Sequence, residues 1–387
     1  MKTFCEFFAG VGLFREGLES YGWKCQWAND ISLDKKQVYL DNYGSEHFWL
    51  GDIWDVLSTE SKLPRSSFLY TASFPCTDLS VAGNRAGLAG EESGTLGALF
   101  EILKHKKNED NLPKVVLLEN VKGFLTSHQG QDVTDTVTLF SDLGYYVDIV
   151  ELDAINFTPQ SRPRVFVIAV CEEIASQVMH LKDSVTDDFW WACYDKTPML
   201  KSNKLKNIIK SSPTLNWALF PLCEPTPTDK RLIDIVEKIP NDSDLWWNDT
   251  RREHLHKQMS DLHLSELEKM VNSNTLSYGT VYRRMRKGKS MAELRTDGFA
   301  GCLRTPRGGS SKQIIIEAGK GEWRVRLLTP REYARLQGLR DSFILPDNAN
   351  KGYFAMGDAV CVPVIEYIAR EILEPVYEAM KQHRSAA

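Results

Sequence analysis

Several things are missing from this chain of 387 residues, and each absence narrows the field. No stretch approaches the run of about twenty apolar residues that a membrane helix requires. The apolar strip after Lys2 is interrupted by Glu6 and no small-residue cleavage site follows, so it reads as a first strand, not a signal peptide. The eight cysteines include no CxxC pair, which argues against a disulfide framework and a zinc site and fits a reduced cytoplasm. There is no internal repeat and no low-complexity tract. There is also no excess of positive charge: the net charge is −5. A weakly acidic total excludes a protein that is basic everywhere, but a local basic cleft can still dominate it. What remains is ordinary globular composition, 42% hydrophobic and 26% charged, enough for one large domain or two.

The first 170 or so residues alternate between short apolar runs and helical patterns. Thr3 to Phe8, Cys25 to Ala28, Phe48 to Leu50, Phe68 to Ala72 and Val115 to Leu118 read as strands. Tyr145 to Leu152 and Val165 to Val170 follow as two more with a loop between them. A helix after the first strand puts Leu13, Phe14, Gly17, Leu18 and Tyr21 on one face. Strand–helix repetition implies a parallel α/β sheet. After Val170 the texture changes. Tryptophan pairs (Trp190 and Trp191, Trp246 and Trp247) and a proline-rich stretch from Pro221 to Pro227 suggest a separate, loop-rich domain; the pairs themselves read as core. A basic segment with Arg283, Arg284, Arg286, Lys287 and Lys289 follows. A terminal apolar helix through Val364, Ile365, Ile368 and Ile372 returns to the first domain.

Phe7 to Phe14 sits where the first strand turns into a helix, and its glycines let a ligand approach the backbone beside a helix N-terminus. Asp30, after the second strand, is placed for ribose hydroxyls, and Asp52 for an adenine amino group. The competing reading is a structural glycine turn with two solvated aspartates. Ser73-Phe74-Pro75-Cys76 lies beyond the fourth strand, with Pro75 stiffening the turn that aims the sulfur. The glycine-rich stretch from Thr77 to Gly94 suits a mobile lid. Glu119 ends the fifth strand, where an acid after an apolar run is costly unless used. In extended chain Arg162 and Arg164 point to the same side, so both can reach one site. Taken singly, Cys76 reads as a small buried hydrophobe, and Glu119 and the arginines as strand-end salt bridges. Together they supply a thiol, an acid and two fixed cations.

These motifs, in this order, resemble the cytosine-5 DNA methyltransferase family of bacterial or phage restriction–modification type. The family's FxGxG turn is matched at Phe8 to Gly12, its proline–cysteine at Pro75-Cys76, its Glu-Asn-Val at Glu119 to Val121 and its QxRxR at Gln160 to Arg164. A late motif is matched by Leu328 to Glu332 with Ala334 to Gly338, and the closing glycine–asparagine–x–valine appears as Gly357-Asp358-Ala359-Val360. Thr77 stands where the family has glutamine, Asp358 where it has asparagine, and Asp30 where it commonly has glutamate.

The resemblance implies a Rossmann-like S-adenosylmethionine-dependent methyltransferase sheet, residues 1–186 plus 350–387, and a smaller target-recognition domain with hinge, residues 187–349. It implies S-adenosyl-L-methionine as cofactor, held by Phe8, Ala9, Gly10, Gly12, Asp30, Ile31, Asp52, Ile53, Pro75, Leu96, Asp358 and Ala359. Cys76 would be the nucleophile, Glu119 in protonated form would bind ring nitrogen 3, and Arg164 the 2-oxo group with Arg162 beside it. The substrate would be duplex DNA with the target base flipped out. Contacts to it are expected from Arg283, Arg284 and Arg286 as a phosphate-tracking strip, and from a loop with Arg304 and Arg307. A cytoplasmic monomer is expected, with a cognate restriction endonuclease acting separately. Three rivals stand beside this: a tRNA cytosine-5 methyltransferase with the same motifs, a nucleotide-binding oxidoreductase on a similar sheet, and a relative that binds DNA without catalysis.

Overall fold

The apolar runs of the first 171 residues become one seven-stranded sheet. In chain order its elements are β1 (Thr3–Phe7), α1 (Leu13–Glu19), β2 (Lys24–Asp30), α2 (Leu33–Tyr43), β3 (Phe48–Leu50), β4 (Leu69–Ser73), α3 (Thr95–Asn108), β5 (Val115–Val121), α4 (Gln131–Leu143), β6 (Tyr145–Asp153) and β7 (Pro163–Cys171). The order across the sheet is β3-β2-β1-β4-β5-β7-β6. The β1–β2, β1–β4, β2–β3 and β4–β5 pairs are parallel. The β7 strand runs antiparallel to β5, pairing Val121 with Arg164 and Glu119 with Phe166. That direction departs from the all-parallel expectation for a physical reason: a parallel return needs a crossover of about a dozen or more residues, usually a helix, and only a short 3-10 turn, Ala154–Asn156, lies between β6 and β7. Val115 to Leu118 of β5 form an unbroken apolar run because both faces of a central strand are covered.

The computed structural model describes residues 1–75, 94–183, 187–286, 288–306 and 312–386. They divide into two compact units. The first is Met1–Leu152, Pro163–Pro225 and Val364–Ala387; the second is Asp153–Arg162 and Thr226–Pro363. The boundary therefore lies later than residue 187, where the resemblance puts it. After α5 (Glu172–Val178), the segment with β8 (His180–Leu181), α6 (Asp188–Asp195), α7 (Asn203–Ser211) and β9 (Ala218–Leu219) belongs to the first unit. Trp190, Trp217 and Leu205 join its core, and β9 pairs with β8. A fully buried ion pair fastens it further: Lys201 Nζ meets Asp148 of β6 and also donates to Ile149 O at 2.7 Å, while Phe220 N donates to Asp148 Oδ2 at 3.0 Å.

The second unit contains α8 (Asp249–Lys257), α9 (Asp261–Val271), a four-stranded sheet ordered β11-β10-β12-β13, α10 (Pro330–Leu336) and α11 (Ala349–Gly357). The strands are β10 (Ser277–Arg286), β11 (Lys289–Arg295), β12 (Ile314–Gly319) and β13 (Glu322–Leu327), with a core of Leu267, Val281, Leu294, Ile314, Ile316 and Val325. The late sequence motif is a helix start: Thr329 caps α10, Pro330 opens it, and Glu332 completes a capping box while gripping buried Arg326 at 2.5 Å. The chain closes with α12 (Val362–Ile368) and α13 (Glu374–Ala386). The helical stretch Ala349–His383 is long and apolar enough to cross a membrane by length and composition only, and its most apolar window is 72% buried within the protein, as in a core helix.

Removing one partner of a buried ion pair leaves the other charge uncompensated. Lys201→Met is expected to lower stability in urea denaturation by about 3–5 kcal/mol, and a second change, Asp148→Leu, to restore much of it. A loss below about 1 kcal/mol in the single variant would show that Asp148 is not held as an ion.

Candidate active site

Four features of the first unit converge on the carboxyl ends of its parallel strands, where sheets of this kind present ligands. After β1 the backbone is left-handed at Phe8 (φ 54), Gly10 (φ 57) and Gly12 (φ 84). Such a conformation strains a bulky residue like Phe8, and strain of this kind gathers at functional sites. At Gly12 a Cβ would also meet the Tyr43 ring at 2.5 Å and the Tyr39 ring at 2.9 Å, so only glycine fits. Asp30 is 8% exposed and holds this turn: Oδ2 accepts from Gly10 N and Oδ1 from Ser32 N, both at 2.8 Å. Asp52 accepts from Trp54 N at 3.1 Å through Oδ1.

Neither aspartate is therefore merely solvated, yet a carboxylate has more lone pairs than these contacts use. Ile31, beside Asp30, is 70% exposed, while Ala9, Ile53 and Leu96 are buried. Acceptors with unspent lone pairs, an open apolar surface and a close-approach turn suit a nucleoside with a diol and an amino group.

The acid lies two strands further along. Glu119, 4% exposed, pairs in register with Ser73 of β4, and Ser73 Oγ donates to its Oε2 at 2.5 Å. Its Oε1 lies 2.8 Å from Arg164 Nε. Arg164 reaches it diagonally, because Glu119 faces Phe166 and Arg164 stands two residues before. Asn120 Nδ2 donates to Phe74 O at 3.2 Å, which pins the backbone just ahead of Pro75. Cys76 and most of the expected lid, through Glu92 and Ser93, lie outside the described residues. Ser73 and Asn120 had no assigned role in the sequence; the available signal was a polar residue closing an apolar strand.

Arg162 and Arg164 do different work. Arg162 belongs to the second unit, is 1% exposed, and donates to Leu303 O at 2.9 Å, Gly357 O at 3.2 Å and Ala359 O at 2.8 Å. That corrects the picture of two arginines side by side, since a guanidinium so covered and so bonded braces backbone. Gln160 does likewise, donating to Leu336 O at 3.0 Å and accepting from Leu303 N at 3.1 Å. Asp358 and Ala359 are also in the second unit, just after α11.

The basic strip is divided as well. Arg283, Arg284 and Arg286 lie on β10, where successive side chains take opposite faces. Arg284 and Arg286 both pair with Glu293 of β11, at 2.9 Å and 2.6 Å. Arg304 sits over the Tyr282 ring at 5.4 Å. Arg307 lies outside the described residues.

The family model of C-5 cytosine-specific DNA methylases matches residues 2–374. Over 392 residues the chain is 26% identical to the type II methyltransferase M.HpaII of Haemophilus parainfluenzae, covering 96% of this chain and 89% of that protein. It is also 26% identical over 373 residues to the type II methyltransferase M.HhaI of Haemophilus parahaemolyticus, covering 95% and 93%. Two solved structures share the fold, each with a TM-score of 0.60. The S. pombe Dnmt2 methyltransferase is 17% identical over 97% of this chain and 99% of its own. The Entamoeba histolytica methyltransferase EhMeth is 14% identical over 98% of each.

Beneath the turn lies a second carboxyl. Burial pushes Glu6 up to about 8, against the Arg15 charge and backbone hydrogen bonds from Arg15 and Phe14 that favour its ionised form. The folded value is above the unfolded 4.5, so the native state binds the extra proton and loses stability as pH rises through that interval. Glu6→Gln is expected to gain stability relative to the parent between about pH 5 and about pH 9. A stability difference that stays flat with pH would mean Glu6 is ionised in the fold throughout.

Proposed function

The chain belongs to the C-5 cytosine-specific DNA methylase family, and from that premise we propose how its residues methylate carbon 5 of cytosine in duplex DNA. The observation that carries the proposal is the Glu119 carboxyl group, fixed between Arg164 and Ser73 two strands from the turn around Phe8. Cytosine carbon 5 is a poor nucleophile. Addition of the Cys76 thiolate to carbon 6 makes the ring an enamine and carbon 5 reactive, which splits one hard step into easier ones. A free thiol has a pKa of about 8.5, so a cationic field that favours the thiolate helps this step. Glu119 holds a proton at ring nitrogen 3 and draws negative charge from carbon 6. Its other oxygen accepts from the 4-amino group, which selects cytosine over thymine. Arg164 binds the 2-oxo group.

S-adenosylmethionine, when bound, supplies the electrophilic methyl group. Phe8, Ala9, Gly10 and Gly12 would line its approach, Asp30 would take the ribose hydroxyls, and Asp52 the adenine amino group, with Ile31, Ile53, Pro75 and Leu96 around the apolar parts. A base in a duplex cannot reach these groups and must be flipped out. The named type II relatives favour a role in restriction–modification, with any endonuclease a separate protein.

Asp52 is half-buried in the free protein, and loss of an acceptor that the bound cofactor covers costs about 1–3 kcal/mol. Asp52→Ala should therefore weaken S-adenosylmethionine binding by calorimetry while DNA binding without cofactor stays near the parental value. Equal cofactor affinity would remove Asp52 from the site.

The mechanism itself is tested by 5-fluorocytosine at the target position, because fluorine cannot leave as the proton normally removed from carbon 5. The duplex should become joined to the protein in a cofactor-dependent adduct that survives denaturing electrophoresis and maps to Cys76. Cys76→Ala should bind duplex without forming the adduct, and Glu119→Gln should form it far more slowly. A substrate duplex methylated normally, yet giving no Cys76 adduct when fluorinated, would sink the mechanism. Methyl transfer to tRNA in preference to duplex DNA would overturn the choice of polymer.

A further inference from the structure

The β10–β11 hairpin outgrows its sheet. The β10–β12 pairing ends at Val281 and Ile314, while β10–β11 continues through Tyr282–Glu293, Arg283–Ala292, Arg284–Met291 and Met285–Ser290 to Arg286–Lys289. Ala292 N is braced by Gln258 O at 2.9 Å, and beyond that point two strands project together. Side chains at the tip are open: Arg284 is 53% exposed, Arg286 61% and Met285 68%. A two-stranded ribbon of this kind has the width that the major groove of B-form DNA admits.

The two faces of the ribbon differ in how their arginines are held. On one face Tyr282, Arg284, Arg286 and Glu293 lie together. Glu293 takes Arg284 Nε at 2.9 Å and Arg286 through Nε at 3.1 Å and Nη2 at 2.6 Å. Burial alone would raise the Glu293 carboxyl, but the Arg286 hydrogen bond and the charges of both arginines bring it below its usual range. One carboxylate thus orients two guanidinium forks whose donors far outnumber its lone pairs. An oriented fork with spare donors is what bidentate reading of guanine O6 and N7 requires.

On the other face Arg283 shares the Trp247 ring with Arg251, at 5.9 Å and 3.8 Å. Among the described residues neither guanidinium has an ion pair or a side-chain hydrogen bond. Two like charges over one ring, with no acid beside them, form a seat for an external anion.

Resting on the assignment of DNA as substrate, we infer that this ribbon reads the target sequence, with Arg284 and Arg286 on guanine edges in the major groove and Arg251 with Arg283 on the phosphate backbone. The recognition sequence therefore contains guanine at the positions these two arginines meet.

Selection of bound duplexes from a random-sequence pool tests this without requiring catalysis; bisulfite sequencing of methylated plasmid tests it with catalysis. The parent should select a motif containing guanine. Arg284→Ala and Arg286→Ala should each lose about ten- to a hundredfold discrimination at one guanine position. Arg284→Lys, which keeps the charge and loses the fork, should bind with parental salt dependence but relaxed sequence. The Arg251→Ala, Arg283→Ala pair should keep the motif, bind all duplexes more weakly, and flatten the log–log salt slope by about 0.9 per lost contact. An unchanged motif in both Arg284→Ala and Arg286→Ala overturns the reading role. An unchanged salt slope in the Arg251, Arg283 pair overturns the phosphate seat. A parent that selects a guanine motif yet methylates no DNA would sink the proposed function while leaving the ribbon's role standing.

Discussion

A carboxylate buried at the end of a central strand must have a cation fixed beside it, and the first unit meets that demand by reversing one strand. Had β7 run parallel to β5, its first residues would lie at the opposite edge of the sheet from Glu119. Because it runs antiparallel, its beginning lies against the end of β5, and Arg164 reaches Glu119 across one diagonal. The same strand ends carry Ser73 and Asn120, one donating to the acid and the other holding the backbone before Pro75. The acid is therefore oriented by backbone register, which places the Arg164 and Ser73 side chains on its two oxygens.

The second unit is organised by a different requirement: irregular backbone must have its carbonyls satisfied once it is buried. Arg162, Gln160 and Gln337 do this, Gln337 donating to Met356 O at 2.7 Å and Ala359 O at 3.0 Å. Planar, multi-donor side chains suit the task because one group closes several carbonyls at once. A single short motif thus contributes Gln160 and Arg162 to one unit's backbone and Arg164 to the other's acid. Residues only two apart answer to different physical needs.

Arginine in the second unit is similarly divided between internal and external work. Arg326 is locked to Glu332 and fully buried, and Arg324 lies 3.9 Å over Trp246 with its fork on Glu317 and Asn241. Trp246 and Trp247 are half-buried platforms for guanidinium groups, not the closed core their pairing suggests. Cation–π contact holds a charged group in place while leaving its edge donors available. This gives a chain of net charge −5 local clusters of cations held on aromatic rings.

How much of this was legible beforehand follows from range. The strands were readable to within a few residues because each is a local apolar run, and Phe48–Leu50 was matched at both ends. The glycine turn, the acid near the end of β5 and the order of motifs were readable too, since each depends on neighbours in sequence. The direction of β7 was missed because nothing in an apolar run records which way it will pair. Arg162 was misplaced because its partners lie about 140 to 200 positions away, and alternation in extended chain says where a side chain points, not what will cover it. The unit boundary was missed at Asp187 because Lys201, Trp190 and Trp217 are assigned by contacts with earlier strands. Sequence by itself determined the elements and the inventory of reactive groups, which are set by local sterics and burial period. Tertiary structure alone decided which arginine meets an acid, which meets carbonyls and which stays open to a ligand, because charge pairing is set by distance in space.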